Sequence, residues 1–97
     1  MSTHTVHITK LAEKQLLKAP KHIVRKLRDW MLSVEFVGLE TASSRSSFHD
    51  EPLQGKRQGQ RSIRLNKQWR AIYQLDTTHT PIIIRIEEVT PHDYRVR

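Results

Sequence analysis

Two hydrophobic periods divide this chain, and the change between them limits its fold more than any other feature. In the first part, apolar residues recur every three or four positions: Leu11, Ala12, Leu16 and Ala19, then Ile23, Leu27, Trp30, Met31 and Val34. That is the spacing of one face of a helix. From Arg61 the spacing falls to two. Ile63 and Leu65 face one way; Ser62, Arg64 and Asn66 face the other, as in a half-buried strand. A helical half followed by a strand half in a chain of 97 residues predicts an α+β fold with helices on one face of a sheet.

The punctuation agrees. Val6 and Ile8 alternate with polar residues and predict a short first strand. Thr9 is a suitable N-cap for a helix over residues 10–19. Pro20 opens a second, longer helix, where its missing N–H is harmless, and Gly38 is its natural stop. The short connection at residues 19–21 implies a helical hairpin. Residues 39–50 are polar and serine-rich and read as a short helical turn followed by a loop. Asn66, Lys67 and Gln68 suit a tight turn into a strand over residues 69–75. A turn at residues 76–81 leads into a last strand over residues 81–89. Its run Ile82, Ile83, Ile84 predicts a central position in the sheet. The expected architecture is one domain over residues 1–97: an N-terminal strand and helical hairpin packed on one face of a small antiparallel sheet (β-α-α-β-β-β). The other face is left open.

Charge narrows the partners. Lys and Arg number 17 against 10 Asp and Glu, a net +7. Nucleic acid is the first candidate, an acidic protein the second. A membrane surface is disfavoured, because no basic helix carries a large aromatic face. There is no cysteine, which excludes disulfides, thiolate metal sites and a cysteine nucleophile. No apolar run has the length of a membrane span or a signal-peptide core, so a cytoplasmic location is the expectation. His4 and His7 would not converge on an extended segment, and no carboxylate cluster supports them. Neither a metal nor a cofactor is expected.

The densest chemistry lies in EPLQGKRQGQRSIRLNKQWRAIY, residues 51–73. Lys56, Arg57, Arg61, Arg64, Lys67 and Arg70 fall within fifteen residues, around Gly55 and Gly59. Lysine and arginine at this density neutralise phosphates, and arginine can clamp one bidentately. The same charges would also protect a solvated hairpin edge. Arg70 lies inside a strand, where a guanidinium is held more rigidly than on a loop. It can stabilise charge developing on a phosphate, or pair with Glu87 or Glu88 on the neighbouring strand. Glu51 is a carboxylate placed to act as a base or to pair with a lysine, and His49 and Asp50 are equally available. Near the end, His92 is an imidazole of the kind that donates a proton at neutral pH. Tyr94 can stack on a base or pin the C-terminal tail.

As an ordered series these residues resemble the RelE/ParE superfamily of bacterial toxins of type II toxin–antitoxin systems. The series is Pro-Leu-x-Gly, a second Gly, Ser-x-Arg-hydrophobic-Asn, Trp-Arg-x-x-Tyr and a terminal His-x-Tyr, and it runs through IEEVTPHDYR. It is closest to the HigB-like and YoeB-like mRNA interferases. The resemblance implies a metal-independent endoribonuclease that cuts mRNA on the ribosome by attack of a 2′-hydroxyl on the adjacent phosphate, inhibiting translation. Carried over, Glu51 would be the general base and Arg70 would stabilise the phosphorane. His92 would be the general acid, and Tyr94 would orient the substrate base. Lys56, Arg57, Arg61, Arg64 and Lys67 would hold RNA. A histidine before Pro-Leu, as in HigB-like enzymes, makes His49 the alternative base. Gln54 stands where the family often has lysine, and Asp93 separates His92 from Tyr94.

The implied partners are a cognate antitoxin, the ribosome and its mRNA, and operator DNA only through the antitoxin complex. Two other functions share parts of this pattern. A ParE-like poison of DNA gyrase has the same fold but does not need the Glu51, Arg70, His92 and Tyr94 set. A non-catalytic nucleic-acid-binding module would account for the charge and leave the His92–Tyr94 ending without a purpose.

Overall fold

The computed structural model describes residues 4–44 and 48–91. Strand β1 is His4–Ile8; helices α1, α2 and α3 are Lys10–Leu17, Lys21–Val37 and Leu39–Ser43. Strands β2, β3, β4 and β5 follow at Glu51–Pro52, Gln60–Arg64, Arg70–Asp76 and Ile82–Thr90. They form one sheet in the order β1-β5-β4-β3-β2. The expected meander is β3-β4-β5, antiparallel throughout. The sheet as a whole is mixed, because β1 runs parallel to β5.

Where β1 stops, the start of α1 takes over the edge of β5. The Thr9 N–H donates to the Ile86 carbonyl at 3.0 Å, and its hydroxyl donates to the Glu87 carbonyl at 3.2 Å. The same hydroxyl oxygen accepts from the Ala12 N–H at 3.1 Å, which caps α1. Gln15 Oε1 accepts from the Val89 N–H at 2.7 Å. The backbone groups left open by the short β1 are therefore met by helix side chains. On the outer edge of β1, Glu35 Oε2 accepts from the Val6 N–H at 3.2 Å, which blunts an edge otherwise open to further pairing.

Helix α2 supplies the stripe Ile23, Leu27, Trp30 and Val34, all buried. It packs with Ile63, Leu65, Ala71, Tyr73, Ile84, Ile86 and Val89 from the sheet. The Trp30 and Tyr73 rings meet at 5.2 Å between centroids, tilted by 46°, a favoured arrangement for aromatic pairs. Gly38, at φ 89°, ends α2 in a conformation costly for any residue with a Cβ. Among the described residues, no helix is long and apolar enough to cross a membrane.

The hairpin turns rest on short polar side chains. Asn66 Oδ1 accepts from the N–H groups of Gln68 and Trp69, each at 2.7 Å. Asp76 Oδ1 accepts from the Thr78 N–H at 3.0 Å and from its hydroxyl at 2.5 Å. These bonds, with His79 beside the carboxylate, lower the Asp76 pKa to about 2. A carboxyl whose folded pKa is depressed contributes stability above its unfolded pKa and loses it as pH falls through the folded value.

Two outcomes are expected. The thermal stability gap between wild type and Asp76→Asn is constant above pH 4 and closes between pH 4 and about 2, as read by unfolding scans across that range. Trp30→Ala leaves a cavity beneath the sheet and costs about 3–5 kcal/mol in denaturant unfolding.

Candidate functional site

The face of the sheet away from the helices is set by strand alternation. Register places Glu51 beside Ser62, Ser62 beside Ile72, and Ile72 beside Glu88. The next row is Arg64, Arg70 and Thr90; a further row is Gln60, Gln74 and Arg85. The β4–β5 register shifts between Ile72 and Tyr73, leaving Glu87 as the extra residue on β5. Ile86 and Val89 both face the core, so the bulge turns Glu87 and Glu88 together onto this face.

Arg70 is the centre of this face. Its residue exposure is only 5%, although it carries a permanent charge. Nη1 lies 3.9 Å from Glu51 Oε1. That is close enough for strong electrostatic attraction but longer than a hydrogen bond. The Glu51 side chain remains 40% exposed, so a ligand can reach it. Directly across from Arg70 on β3 is Arg64. Like charges placed opposite one another destabilise a sheet. The Nε of Arg64 is also buried and has no hydrogen-bond partner among the described residues. Arg64 and Arg70 thus lie opposite one another on neighbouring strands, with the partly exposed Glu51 carboxylate near Arg70.

The far end of the same face is electrically closed. Arg57 Nη1 donates to Glu88 Oε2 at 2.8 Å and to Gln60 Oε1 at 3.1 Å. Gln60 Nε2 donates to Glu87 Oε1 at 2.7 Å. These bonds tie the 3-10 turn Gly55–Arg57 to β5 across β4.

The helix-side face carries a second polar cluster at its β2 end. Asp50 Oδ1 accepts from Arg61 Nε at 2.8 Å. Asp50 Oδ2 accepts from the Tyr73 and Ser43 hydroxyls, each at 2.5 Å. Arg61 Nε also donates to the Tyr73 oxygen at 3.2 Å. The Asp50 side chain is only 6% exposed. Burial, then the hydrogen bond to Asp50, raises the Tyr73 pKa well above its usual value. Tyr73 therefore stays protonated and remains a donor. An open groove runs past this cluster, lined also by His4, Leu39 and Glu40.

The residues singled out from the sequence are thus divided. Glu51, Arg64 and Arg70 come together on the face away from the helices, which is not the open face expected from the sequence, because Ser62, Ile72, Arg70 and Thr90 on it are buried. Arg57 reaches that face already paired with Glu88. Lys56 and Lys67 are exposed on the turns that flank β3. Arg61 points to the opposite face and is committed to Asp50. His49 is exposed, with φ at 46°, and Asp50 is turned inward, so of the three neighbouring candidates only Glu51 stands beside Arg70. His92 and Tyr94 lie outside the described residues. Sequence reasoning missed the Asp50, Tyr73 and Ser43 cluster. Alternation at residues 50 and 51 was the available signal, because neighbours on a strand cannot share a face.

No protein-family model matches this chain, and no curated protein sequence matches it. Solved structures do. A chain of the toxin-antitoxin complex RelBE2 from Mycobacterium tuberculosis is 23% identical with a TM-score of 0.68, over 93% of this chain and 99% of that one. YafQ from E. coli is 21% identical with a TM-score of 0.72, over 92% and 93%. The archaeal RelE-RelB complex from Pyrococcus horikoshii contributes a chain 24% identical with a TM-score of 0.70, over 95% and 98%. Each match spans nearly the whole of both chains. The chain has the fold of the RelE/ParE superfamily of toxins.

Proposed function

We propose that this protein is the toxin of a type II toxin–antitoxin pair and acts as an endoribonuclease on mRNA held in the ribosome. The observation that carries this reading is the placement of Arg64 opposite Arg70 with Glu51 3.9 Å from Arg70. Arg70 pairs with Glu51, and a phosphodiester brought to this face would meet guanidinium groups from two strands. The accessible carboxylate beside them suits proton abstraction from the ribose.

The chemistry follows from these positions. Glu51 takes the proton of the 2′-hydroxyl, and O2′ forms a bond to phosphorus. Charge building on the non-bridging oxygens faces Arg70 and Arg64, donors held on strands before the reaction begins. The bond to O5′ then breaks and O5′ takes up a proton, leaving a 2′,3′-cyclic phosphate and a 5′-hydroxyl. The family resemblance assigns that proton to His92 and base orientation to Tyr94. Acid–base assistance of this kind is worth about 10²–10⁴-fold. The ribosome would hold the mRNA in the required geometry. Lys56 and Lys67 flank the site as phosphate contacts. Arg57 would join them only by leaving Glu88, and Arg61 only by leaving Asp50.

The neighbours include structures described as toxin–antitoxin complexes, RelBE2 and DinJ-YafQ. On the same reading, an antitoxin covers this protein, with operator DNA bound through the complex. An acidic segment laid over Arg64 and Arg70 would both neutralise the pair and exclude RNA.

Two measurements test the reading. Inducible expression of wild type and Arg70→Ala, with mapping of RNA 5′-hydroxyl ends, is expected to give arrest and new ends in translated frames for the wild type alone. Arrest with intact mRNA and broken DNA would point to gyrase instead. Arg64→Met keeps the aliphatic stem and removes the second charge. It is expected to cut poorly yet unfold at higher denaturant, by about 0.2–1 kcal/mol. A variant less stable than wild type would remove the argument from like-charge strain.

A further inference from the structure

Glu51 is useful beside Arg70 only while β2 keeps its register. A slip of one residue would turn Glu51 onto the helix face and Asp50 onto the other one. The ladder of β2 is short, although just beyond it the Leu53 N–H donates to the Gln60 carbonyl at 2.9 Å and Leu53 is buried. The strand is two residues long, Glu51–Pro52, it lies at the edge of the sheet, and Pro52 has no N–H to give. Just before it, His49 adopts φ 46°, a conformation uncommon for a residue with a side chain and held only where surroundings enforce it.

The enforcing contact is on Asp50. Its carboxylate receives Ser43 from α3, Arg61 from β3 and Tyr73 from β4. These are three donors on three separate elements, and none of them lies on the face that holds Glu51 and Arg70. We propose that Asp50, with Tyr73, Arg61 and Ser43, is the positioning anchor of Glu51. By holding Asp50 inward it keeps the next carboxylate outward and within reach of Arg70. The anchor thereby sets the rate of proton abstraction in the RNA cleavage proposed above, on which this role rests. Asp50, Tyr73, Arg61 and Ser43 are positioning residues; none of them touches the reacting atoms. Tyr73 is suited to this because it stays a donor across the physiological range, its pKa raised by burial and by the bond to Asp50.

The test uses Tyr73→Phe and Ser43→Ala, with Ser43→Thr as the conservative control. Tyr73→Phe keeps the ring against Trp30 and removes only the hydroxyl. The full chain is labelled with 13C at its side-chain carboxyls, and Glu51 is assigned with Glu51→Gln. Single-turnover cleavage on programmed ribosomes is measured beside ribosome affinity. In Tyr73→Phe the Glu51 carboxyl resonance is expected to move. Cleavage is expected to fall on the order of 10²-fold, as misplacement of a reacting group by about 1 Å can cause, with affinity unchanged. Ser43→Ala should follow in the same direction, and Ser43→Thr should match wild type.

Folded variants with an unmoved Glu51 resonance and wild-type cleavage would overturn the anchor, as would a loss confined to affinity. If Tyr73→Phe does not fold, Ser43→Ala decides by the same readings. If the wild type cuts no RNA, the nuclease reading fails alone. The Glu51 resonance still decides the anchor, which stands if the resonance moves in the variants and falls if it does not.

Discussion

Burial of one sheet face beneath α2 is the constraint on which the rest of this structure depends. Ile23, Leu27, Trp30 and Val34 are all buried, and the sheet residues that meet them must be Ile63, Ala71, Tyr73, Ile84, Ile86 and Val89. Strand alternation then leaves no freedom elsewhere. Tyr73 and Arg61 are carried to the helix side, and Arg64, Arg70 and Ile72 to the other side. A charge on the buried row is tolerated only when it is paired and hydrogen-bonded. The buried charge on this side is the Asp50 carboxylate, which meets that requirement through Arg61, Tyr73 and Ser43, while the Arg61 side chain stays 36% exposed.

The face away from the helices obeys different rules. Its charge is not spread evenly, although the chain carries a net +7. Toward Gln60 the positive charge of Arg57 is cancelled by Glu88, which the bulge on β5 brings onto this face beside Glu87. Toward Glu51 two arginines stand opposite one another, with one of them 5% exposed. Arg70 in turn lies 3.9 Å from the partly exposed Glu51 carboxylate.

Much of the architecture was legible in the residues. The helical stripe, the Thr9 cap, the start at Pro20, the stop at Gly38 and the three-stranded meander each depend on local periodicity or on one residue's backbone preference, and each lies near its expected place. The direction of β1 was not legible, because a five-residue strand has no local signal for parallel or antiparallel pairing. Nor was β2, whose two residues are too few to carry a period and include a proline. The site was legible in part. Alternation alone separates Arg64 from Ile63 and implies that Glu51 and Asp50 diverge. It does not say which of the two faces the core, and although it puts Arg61 on the Ile63 side it says nothing of Asp50 as its partner.

The sequence by itself determined the class of fold, the two-sidedness of the sheet and the concentration of basic residues next to Glu51, because these follow from spacing, composition and backbone preference within short windows. Only the tertiary structure decided which charges meet. Arg57 is held by Glu88, Arg61 by Asp50, and Arg64 faces Arg70. Those outcomes depend on contacts between strands far apart in the chain, and an electrostatic interaction is set by distance and burial in the folded molecule rather than by order along it.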